Sequence, residues 1–250
     1  MGKDGDHTPL NHTSTLQEPL LKKPKKSQRF LLKISGELFQ DLNALHDLLH
    51  QLTQLSKTCG GIVLGGGNYL RGTQSTFSQR EYSDDIGMCG SVLNALFLRA
   101  HLKEYGLDSQ IFSPLLIEGV TMKPSQQAID VCLSKHHIPL FGGGIGQPYF
   151  STDTAAVLYA LRTKSDVVLK GTKVEGVYDK DPMVHKDARF LPHITSDMFL
   201  EKKLTLMDQT AIALARDHHI PLRIFSMKRK KSLVSVLDSV PPFTQIDHRI

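Results

Sequence analysis

Three glycine-rich stretches each follow a short apolar run, and each brings residues able to handle an anion. The richest is Phe141–Ala156, FGGGIGQPYFSTDTAA. Gly142, Gly143 and Gly144 follow the run Ile138–Phe141, and the chain then passes Gly146 and Pro148 to Ser151, Thr152, Asp153 and Thr154 before an alanine-rich helical start. The order reads as strand, loop and helix N-terminus. Glycine lets a backbone approach a ligand and turn its N–H groups inward, and the free amides and positive dipole end of a helix favour negative charge. The chemistry implied is the grip of an anion, a phosphate foremost. Ser-Thr-Asp ahead of Ala-Ala serves equally as an ordinary N-cap.

The pattern recurs along the chain, with a single-glycine turn after the first strand and two further glycine loops. Arg29–Ile34 is an apolar run interrupted by Lys33 and ending in Ser35-Gly36-Glu37, so a buried strand delivers a lysine to a glycine turn. Either the Lys33 stem snorkels to the surface or its ammonium meets an anion at that turn. Gly61–Leu64 runs into Gly65-Gly66-Gly67-Asn68, with Arg71-Gly72 close behind. Arg71 is read as a bidentate phosphate ligand or a surface arginine. A further run, Asp166–Lys170, leads into Gly171–Tyr178 and Asp179-Lys180-Asp181-Pro182. That loop mixes a lysine, a hydroxyl, a ring and carboxylates, as a base and ribose would need, or is a turn-rich surface connection. Asp84 and Asp85 either cap the next helix or accept hydrogen bonds from sugar hydroxyls.

The elements that must position these groups alternate. Leu42, Leu45, Leu48, Leu49, Leu52 and Leu55 have helical spacing, and Ser83-Asp84-Asp85 is expected to precede a helix through Val92, Leu96 and Ala100. Ser109–Ser113 reads as a strand, Ser125–Lys135 as a helix and Ile138–Phe141 as a strand. Thr195 or Ser196 opens a short helix, Met207–Ala211 opens another, and Leu222–Phe225 is a strand. HHIPL occurs at His136–Leu140 and again at His218–Leu222, and both copies read as a helix end entering a buried strand. The alternation predicts a mostly parallel sheet with helices on both faces and the glycine loops along one edge.

Composition narrows the class. The chain has 250 residues, 40% hydrophobic and 22% charged, enough for one large α/β core, and no apolar run approaches the roughly 20 residues that cross a bilayer. The net charge of +5 gathers in Lys22–Arg29 and Lys228–Lys231, without the aromatic interleaving of a single-strand binder, which argues against nucleic acid. Cys59, Cys89 and Cys132 form no CxxC pair, and with no apolar signal region the expected home is a reducing cytoplasm. No His, Cys and carboxylate spacing matches a zinc site. Residues 1–28 lack apolar periodicity and read as a disordered extension.

In chain order, LLKISGE, GGGNYLRG, the Asp84–Met88 segment, GQPYFSTDTAA, DVVLKGTKVEGVYDKDP and LMDQTA resemble the bacterial uridylate kinases (UMP kinases) of the amino acid kinase family. The resemblance runs from about Arg29 to Met227. It implies a three-layer α/β/α fold over 29–250, with an acceptor lobe of about 29–160 and an ATP lobe of about 161–250. It also implies transfer of the γ-phosphoryl group of ATP to UMP. Lys33 and Asp153 would be catalytic. Lys33, Ile34, Ser35, Gly36, Gly67, Arg71, Thr172, Tyr178 and Asp181 would meet ATP. Gly66, Arg71, Asp84, Ile145, Gly146, Gln147, Pro148, Tyr149, Phe150, Ser151 and Thr152 would meet UMP. Mg²⁺ would ride on the nucleotide phosphates with no direct protein ligand, reaching Asp208 through water. The resemblance further implies a homohexamer. There is no GxxxxGK[ST], so the chain is no P-loop kinase.

Three positions depart from the family pattern. Ile145-Gly146-Gln147 replaces its usual Thr-Gly-Asn, Glu175 replaces an aspartate, and Leu38-Phe39-Gln40 leads directly into the first helix where a glycine-containing insertion associated with GTP activation is usual. Two other readings share the fold: a kinase acting on a carboxylate, and a non-catalytic nucleotide-binding or oxyanion-storage relative. Arg71 and STDTAA speak against the first, Lys33 with Asp153 against the second.

Overall fold

Alternation along the first strand decides which layer each residue serves. In β1 (Phe30–Ile34), Phe30, Leu32 and Ile34 face one core and Leu31 faces the other, which puts Lys33 on the Leu31 side. The computed structural model describes residues 28–69 and 77–248. The extension expected over residues 1–28, up to Ser27, and Arg71 lie outside the described residues.

Among the described residues eight strands form one sheet, in the order β3-β4-β2-β1-β5-β7-β8-β6. The chain runs from β1 through a 3₁₀ turn (Gly36–Gln40) to α1 (Leu42–Leu55), β2 (Cys59–Leu64), α2 (Arg80–Glu104), β3 (Ser109–Phe112) and α3 (Gln126–Ser134). It continues with β4 (Ile138–Phe141), α4 (Thr152–Arg162), β5 (Val167–Thr172), β6 (His193–Thr195) and α5 (Ser196–Glu201), then α6 (Gln209–Asp217), β7 (Leu222–Ser226), α7 (Ser232–Leu237) and β8 (Thr244–Asp247). Every pairing is parallel except β7 with β8. The expected α/β/α architecture is therefore present.

Two cores fill the layers. One lies beneath α1, α2 and α7 and holds Phe30, Leu32, Leu49, Leu98 and Leu233; the other lies beneath α3, α4 and α6 and holds Leu31, Phe112, Phe141, Val157 and Ile212. In α1 the expected leucine stripe buries Leu45, Leu48, Leu49 and Leu52, while Asp41 caps the helix by accepting from Ala44 N. Burying each such leucine contributes roughly 1.5–3 kcal/mol. The chain leaves β1 toward the α1 face and later leaves β5 toward the α5 and α6 face. A crevice opens where such connections diverge at the carboxyl ends of neighbouring strands.

Some expectations shift. The helix expected after Ser83-Asp84-Asp85 starts at Arg80, so these residues lie inside α2 and cap nothing. Its first turn is held by contacts from a distant loop, described below, which local sequence does not show. Strands β6 and β8 were not expected: TQID is short, and it pairs antiparallel to β7 after a Pro-Pro turn. The two HHIPL copies do close a helix and enter a strand, but one residue out of step. His136 takes the left-handed conformation in the first copy and His219 in the second, because α3 ends at Ser134 and α6 at Asp217.

Candidate active site

Lys33 and Lys170 are register partners on the adjacent parallel strands β1 and β5, each the fourth residue of its strand. Lys170 follows Val168 on the same face as Lys33 follows Leu31, so both ammonium groups point toward α4. Two like charges side by side need a counter-charge, and the first turn of α4 supplies it. Asp153 Oδ2 accepts from Lys170 Nζ at 2.5 Å, and Lys33 Nζ lies 3.0 Å from Oδ1. The Lys33 contact is an ion pair by distance but off the hydrogen-bonding direction, so Oδ1 keeps no aligned donor. The three side chains are each about a tenth exposed.

Burial pushes the Asp153 carboxyl up, but the charges of Lys170 and Lys33 outweigh it and hold it well below the usual carboxylate range. Burial pulls Lys170 down to about 8; Asp153 opposes the fall and Lys33 adds to it. Lys170 also donates to Leu206 O at 2.6 Å, which fixes its direction. In the sequence Lys170 reads only as the end of a strand. The available signal was the repeat of one pattern, LLKISG and VVLKGT, an apolar strand that ends in lysine at a glycine turn.

Asp208 clamps the start of α4 to the start of α6. It caps α6 through Thr210 N, and its Oδ2 accepts from Ser151 Oγ at 2.9 Å and Thr154 Oγ1 at 2.7 Å. Its own N–H points at Asp153 Oδ2 at 3.4 Å. Ser151 is the α4 N-cap as well, accepting from Thr154 N. The ordinary cap reading of this serine therefore holds, and the same helix start carries the carboxylate between the lysines.

In front of this triad lies a cleft of about 470 Å³. Its walls include Lys33, Ser35, Gly65, Gly66, Gly67, Thr152 and Lys170–Val174, with apolar side chains at Leu38, Leu206 and Met227. Gly36 is packed tightly behind its loop: a Cβ there would sit 1.9 Å from Asn68 Oδ1. A Cβ on Gly66 would sit 1.9 Å from the carbonyl oxygen of Gly87 in α2. Ile34 is in the core, and its carbonyl accepts from Gly65 N. Lys173 and Glu37 form an ion pair of 3.1 Å at the mouth.

The loop ahead of α4 is held from outside. Tyr149 has φ 71°, its N–H donates to Asp84 Oδ2 at 2.8 Å, its hydroxyl donates to Glu81, and the Arg80 guanidinium lies over its ring. Arg80 Nε also donates to Asp84 at 3.2 Å. Ile145 packs on the α4 core, Gly146 turns against Pro114, and Gln147 and Phe150 are exposed. On the other side, the Thr172 hydroxyl donates to Val174 O and faces the cleft. Tyr178 stacks edge-on with Phe190, and exposed Asp181 accepts from Met183 N; neither lines the cleft.

Two like-charged lysines fixed around one carboxylate, beside glycine loops, form a preorganised site for oxyanions, in which charge is stabilised without reorganisation. Among the described residues no group of three His, Cys, Asp or Glu is placed to hold a metal ion, and no helix is long and apolar enough to cross a membrane.

Residues 28–226 match the profile of the amino acid kinase family. The uridylate kinase of Psychrobacter sp. (strain PRwf-1) is 38% identical over 242 residues, covering 91% of this chain and 99% of that protein. The uridylate kinase of Buchnera aphidicola subsp. Schizaphis graminum is 37% identical over 223 residues, covering 84% and 92%. The crystal structure of UMP kinase from Ureaplasma parvum superposes with a TM-score of 0.82 at 32% identity, covering 89% of this chain and 99% of that one.

Proposed function

The chain belongs to the amino acid kinase family, and on that premise we propose that it transfers the γ-phosphoryl group of ATP to UMP, giving UDP and ADP for pyrimidine nucleotide biosynthesis. The observation that carries the reading is Asp153 seated between register-paired Lys33 and Lys170 at the carboxyl ends of β1 and β5.

A UMP phosphate oxygen forms the new bond to the γ-phosphorus as the bond to the bridging oxygen of ADP breaks. The acceptor phosphate has a second pKa of about 6, so at neutral pH it is largely dianionic and needs no general base. Asp153, already ionised and engaged by two ammonium groups, is then a positioning group for those cations and takes up no proton. Lys33 and Lys170 meet the charge spread over the transferring phosphoryl oxygens, which is where such a transition state needs stabilisation. The glycine loops bring backbone N–H groups close, and the amide end of α4 faces the same region.

Mg²⁺ fits as a passenger of the nucleotide. Asp153 is ion-paired with both lysines, and the Asp208 carboxylate is engaged by Ser151, Thr154 and Thr210, which leaves its Oδ1 a remaining lone pair for a metal-bound water. Bound there, the ion would neutralise charge between the donor phosphate oxygens. We assign the donor side to about 161–250 together with Lys33–Gly36, and the acceptor side to about 29–160. Gly66, Asp84 and Ile145–Thr152 would meet UMP on that side, and Arg71 would grip its phosphate. Tyr178 and Asp181 reach ATP only if their loop folds over the cleft. The exposed apolar residues Tyr82, Ile86, Leu93 and Phe97 of α2 support self-association, for which we propose a homohexamer, and the free thiols suit a reducing cytoplasm.

The test mixes purified protein with ATP, Mg²⁺ and UMP, CMP, dUMP, AMP or glutamate, and follows ADP. Turnover confined to UMP is expected. Turnover with glutamate would move the chain to the carboxylate kinases, and tight nucleotide binding without any turnover would make it a binding or storage protein.

A further inference from the structure

One face of α2 carries the glycine loops on both sides of the cleft. Gly87, Ser91 and Asn94 share that face at spacings of four and three. The Gly87 carbonyl abuts Gly66, as described. Ser91 Oγ accepts from Gly143 N at 2.6 Å while donating to Met88 O at 2.7 Å, and a Cβ on Gly142 would lie 2.9 Å from Val92 Cα. Asn94 has the central place. It is 2% exposed, and its Nδ2 donates to Gly65 O at 2.6 Å and to Asn68 Oδ1 at 2.9 Å, which uses both of its hydrogens. Asn68 Nδ2 points back at Asn94 Oδ1 at 3.4 Å.

The two asparagines also meet the first loop. Gly65 N donates to Ile34 O at 2.9 Å, and a Cβ on Gly36 would strike Asn68 Oδ1 at 1.9 Å and Asn94 Nδ2 at 2.6 Å. Gly36 therefore rests directly on the amide pair. Neither Asn94 nor Ser91 lines the cleft. A fully satisfied buried amide that touches two loops of opposite function fixes the distance between them.

We propose that Asn94, acting through Asn68 and Gly65, is a positioning residue for phosphoryl transfer that sets the separation of the donor-side turn Ser35-Gly36 from the acceptor-side loop Gly65–Asn68. This rests on the UMP kinase reading above. Two reacting phosphates are brought to within a near-attack distance by these loops, and a displacement of about 1 Å costs on the order of 10²-fold in rate. Loss of Asn94 leaves each nucleotide its own contacts, so the defect falls on kcat and spares binding.

The experiment compares the unmodified protein with Asn94→Ala, Asn94→Asp, Asn68→Ala and the double variant Asn94→Ala/Asn68→Ala, measuring kcat, KM for ATP and for UMP, nucleotide binding by titration, and thermal melting. Asn94→Asp fills the same volume but has no amide hydrogens for Gly65 O, so it decides the matter if Asn94→Ala fails to fold; Asn68→Ala, on a half-buried loop, decides it if both fail. The expected result is a fall in kcat of about 30- to 100-fold in folded Asn94→Asp, with each KM within about threefold. The double variant should be no slower than Asn94→Ala, because the two amides act as one unit. A kcat within twofold of the unmodified protein, a loss carried wholly by KM, or single effects that multiply would each overturn the inference. Absence of UMP turnover in the unmodified protein would instead sink the kinase reading itself.

Discussion

The segment Tyr149–Thr154 supplies two charged networks a few residues apart, and they differ in nearly every physical respect. At Asp153 a carboxylate and two lysines are about nine-tenths buried, and both Asp153 and Lys170 are driven far from their ordinary titration range. At Tyr149 a hydroxyl, Glu81, Arg80 and Asp84 form as many contacts, but on the surface. The Glu81 carboxyl is lowered by the hydrogen bond from Tyr149, and the Tyr149 phenol is raised by the same bond. Water screens the second network and not the first, so the first should govern chemistry and stability and the second only the posture of a loop.

Asp153→Asn should give the largest effect. It leaves two buried cations facing a neutral amide, and breaking a buried pair costs roughly 3–5 kcal/mol. For a chain of this size each kcal/mol lowers Tm by about 2–4 °C. We expect kcat to fall on the order of 10³-fold while UMP binding, read by titration, changes only a few-fold. Unchanged turnover would show that the two networks do not differ as argued. The sign of the pH effect follows from the lowered carboxyl. Asp153 contributes stability that is complete above its unfolded pKa of about 4 and is lost as pH falls below it, so the Tm gap between the unmodified protein and Asp153→Asn should narrow as pH is lowered below about 4.

Lys170 provides the next test. With its pKa pulled down to about 8, the free enzyme loses this charge above that pH, so kcat/KM for ATP should fall with a midpoint near 8. Bound triphosphate favours the charged form, so the corresponding limb of kcat should lie at higher pH. Lys170→Arg, whose guanidinium stays charged throughout, should lower kcat by roughly tenfold at pH 7 yet remove the limb near pH 8. Stability behaves differently. Between about 8 and 10.5 the unfolded lysine holds its proton and the folded one does not, so this group makes the unliganded protein more stable as pH rises through that window.

How much of this was legible depended on whether the signal was local. β1, β2, β4 and β5 are apolar runs that end in glycine, and α1 is a leucine stripe behind an aspartate cap, so each announces itself within a dozen residues. Lys170 does not, because nothing local says that β5 lies beside β1 with Lys33 opposite Lys170; that is a property of sheet order. The start of α2 at Arg80 was hidden for a related reason: Arg80, Glu81 and Tyr82 are exposed and have no apolar pattern, and the partner of Glu81 and Asp84 is Tyr149 in another loop. The reverse holds at Tyr178 and Asp181: their residue types suit a nucleotide and are legible locally, but nothing local shows that their loop pairs with Phe190 and Arg189.

Asp208 lies between the two regions in burial and should lie between them in effect. Asp208→Ala removes the α6 cap and the acceptor of the Ser151 and Thr154 hydroxyls, at a cost of about 2 kcal/mol. Because the same segment holds Lys170 through Leu206 O and Asp153 through the Asp208 N–H, kcat should drop roughly tenfold at unchanged KM for UMP. A Tm shift without a kcat change would confine Asp208 to capping.

Tyr149→Phe should have the smallest effect, and it bears most directly on the contrast. It deletes one exposed hydroxyl and leaves the ring beneath Arg80 and the backbone N–H on Asp84. Exposed polar pairs are worth little, so kcat should stay within about twofold and KM for UMP within about fivefold, with the KM effect shrinking further in high salt as Arg80, Glu81 and Asp84 are screened. Glu81→Ala should match it, since both variants break the same contact. A loss of kcat comparable to that of Asp153→Asn would mean that the loop posture is rate-determining and that burial is not what separates the two networks. A salt-independent KM change would place the Tyr149 hydroxyl against the bound nucleotide, away from Glu81.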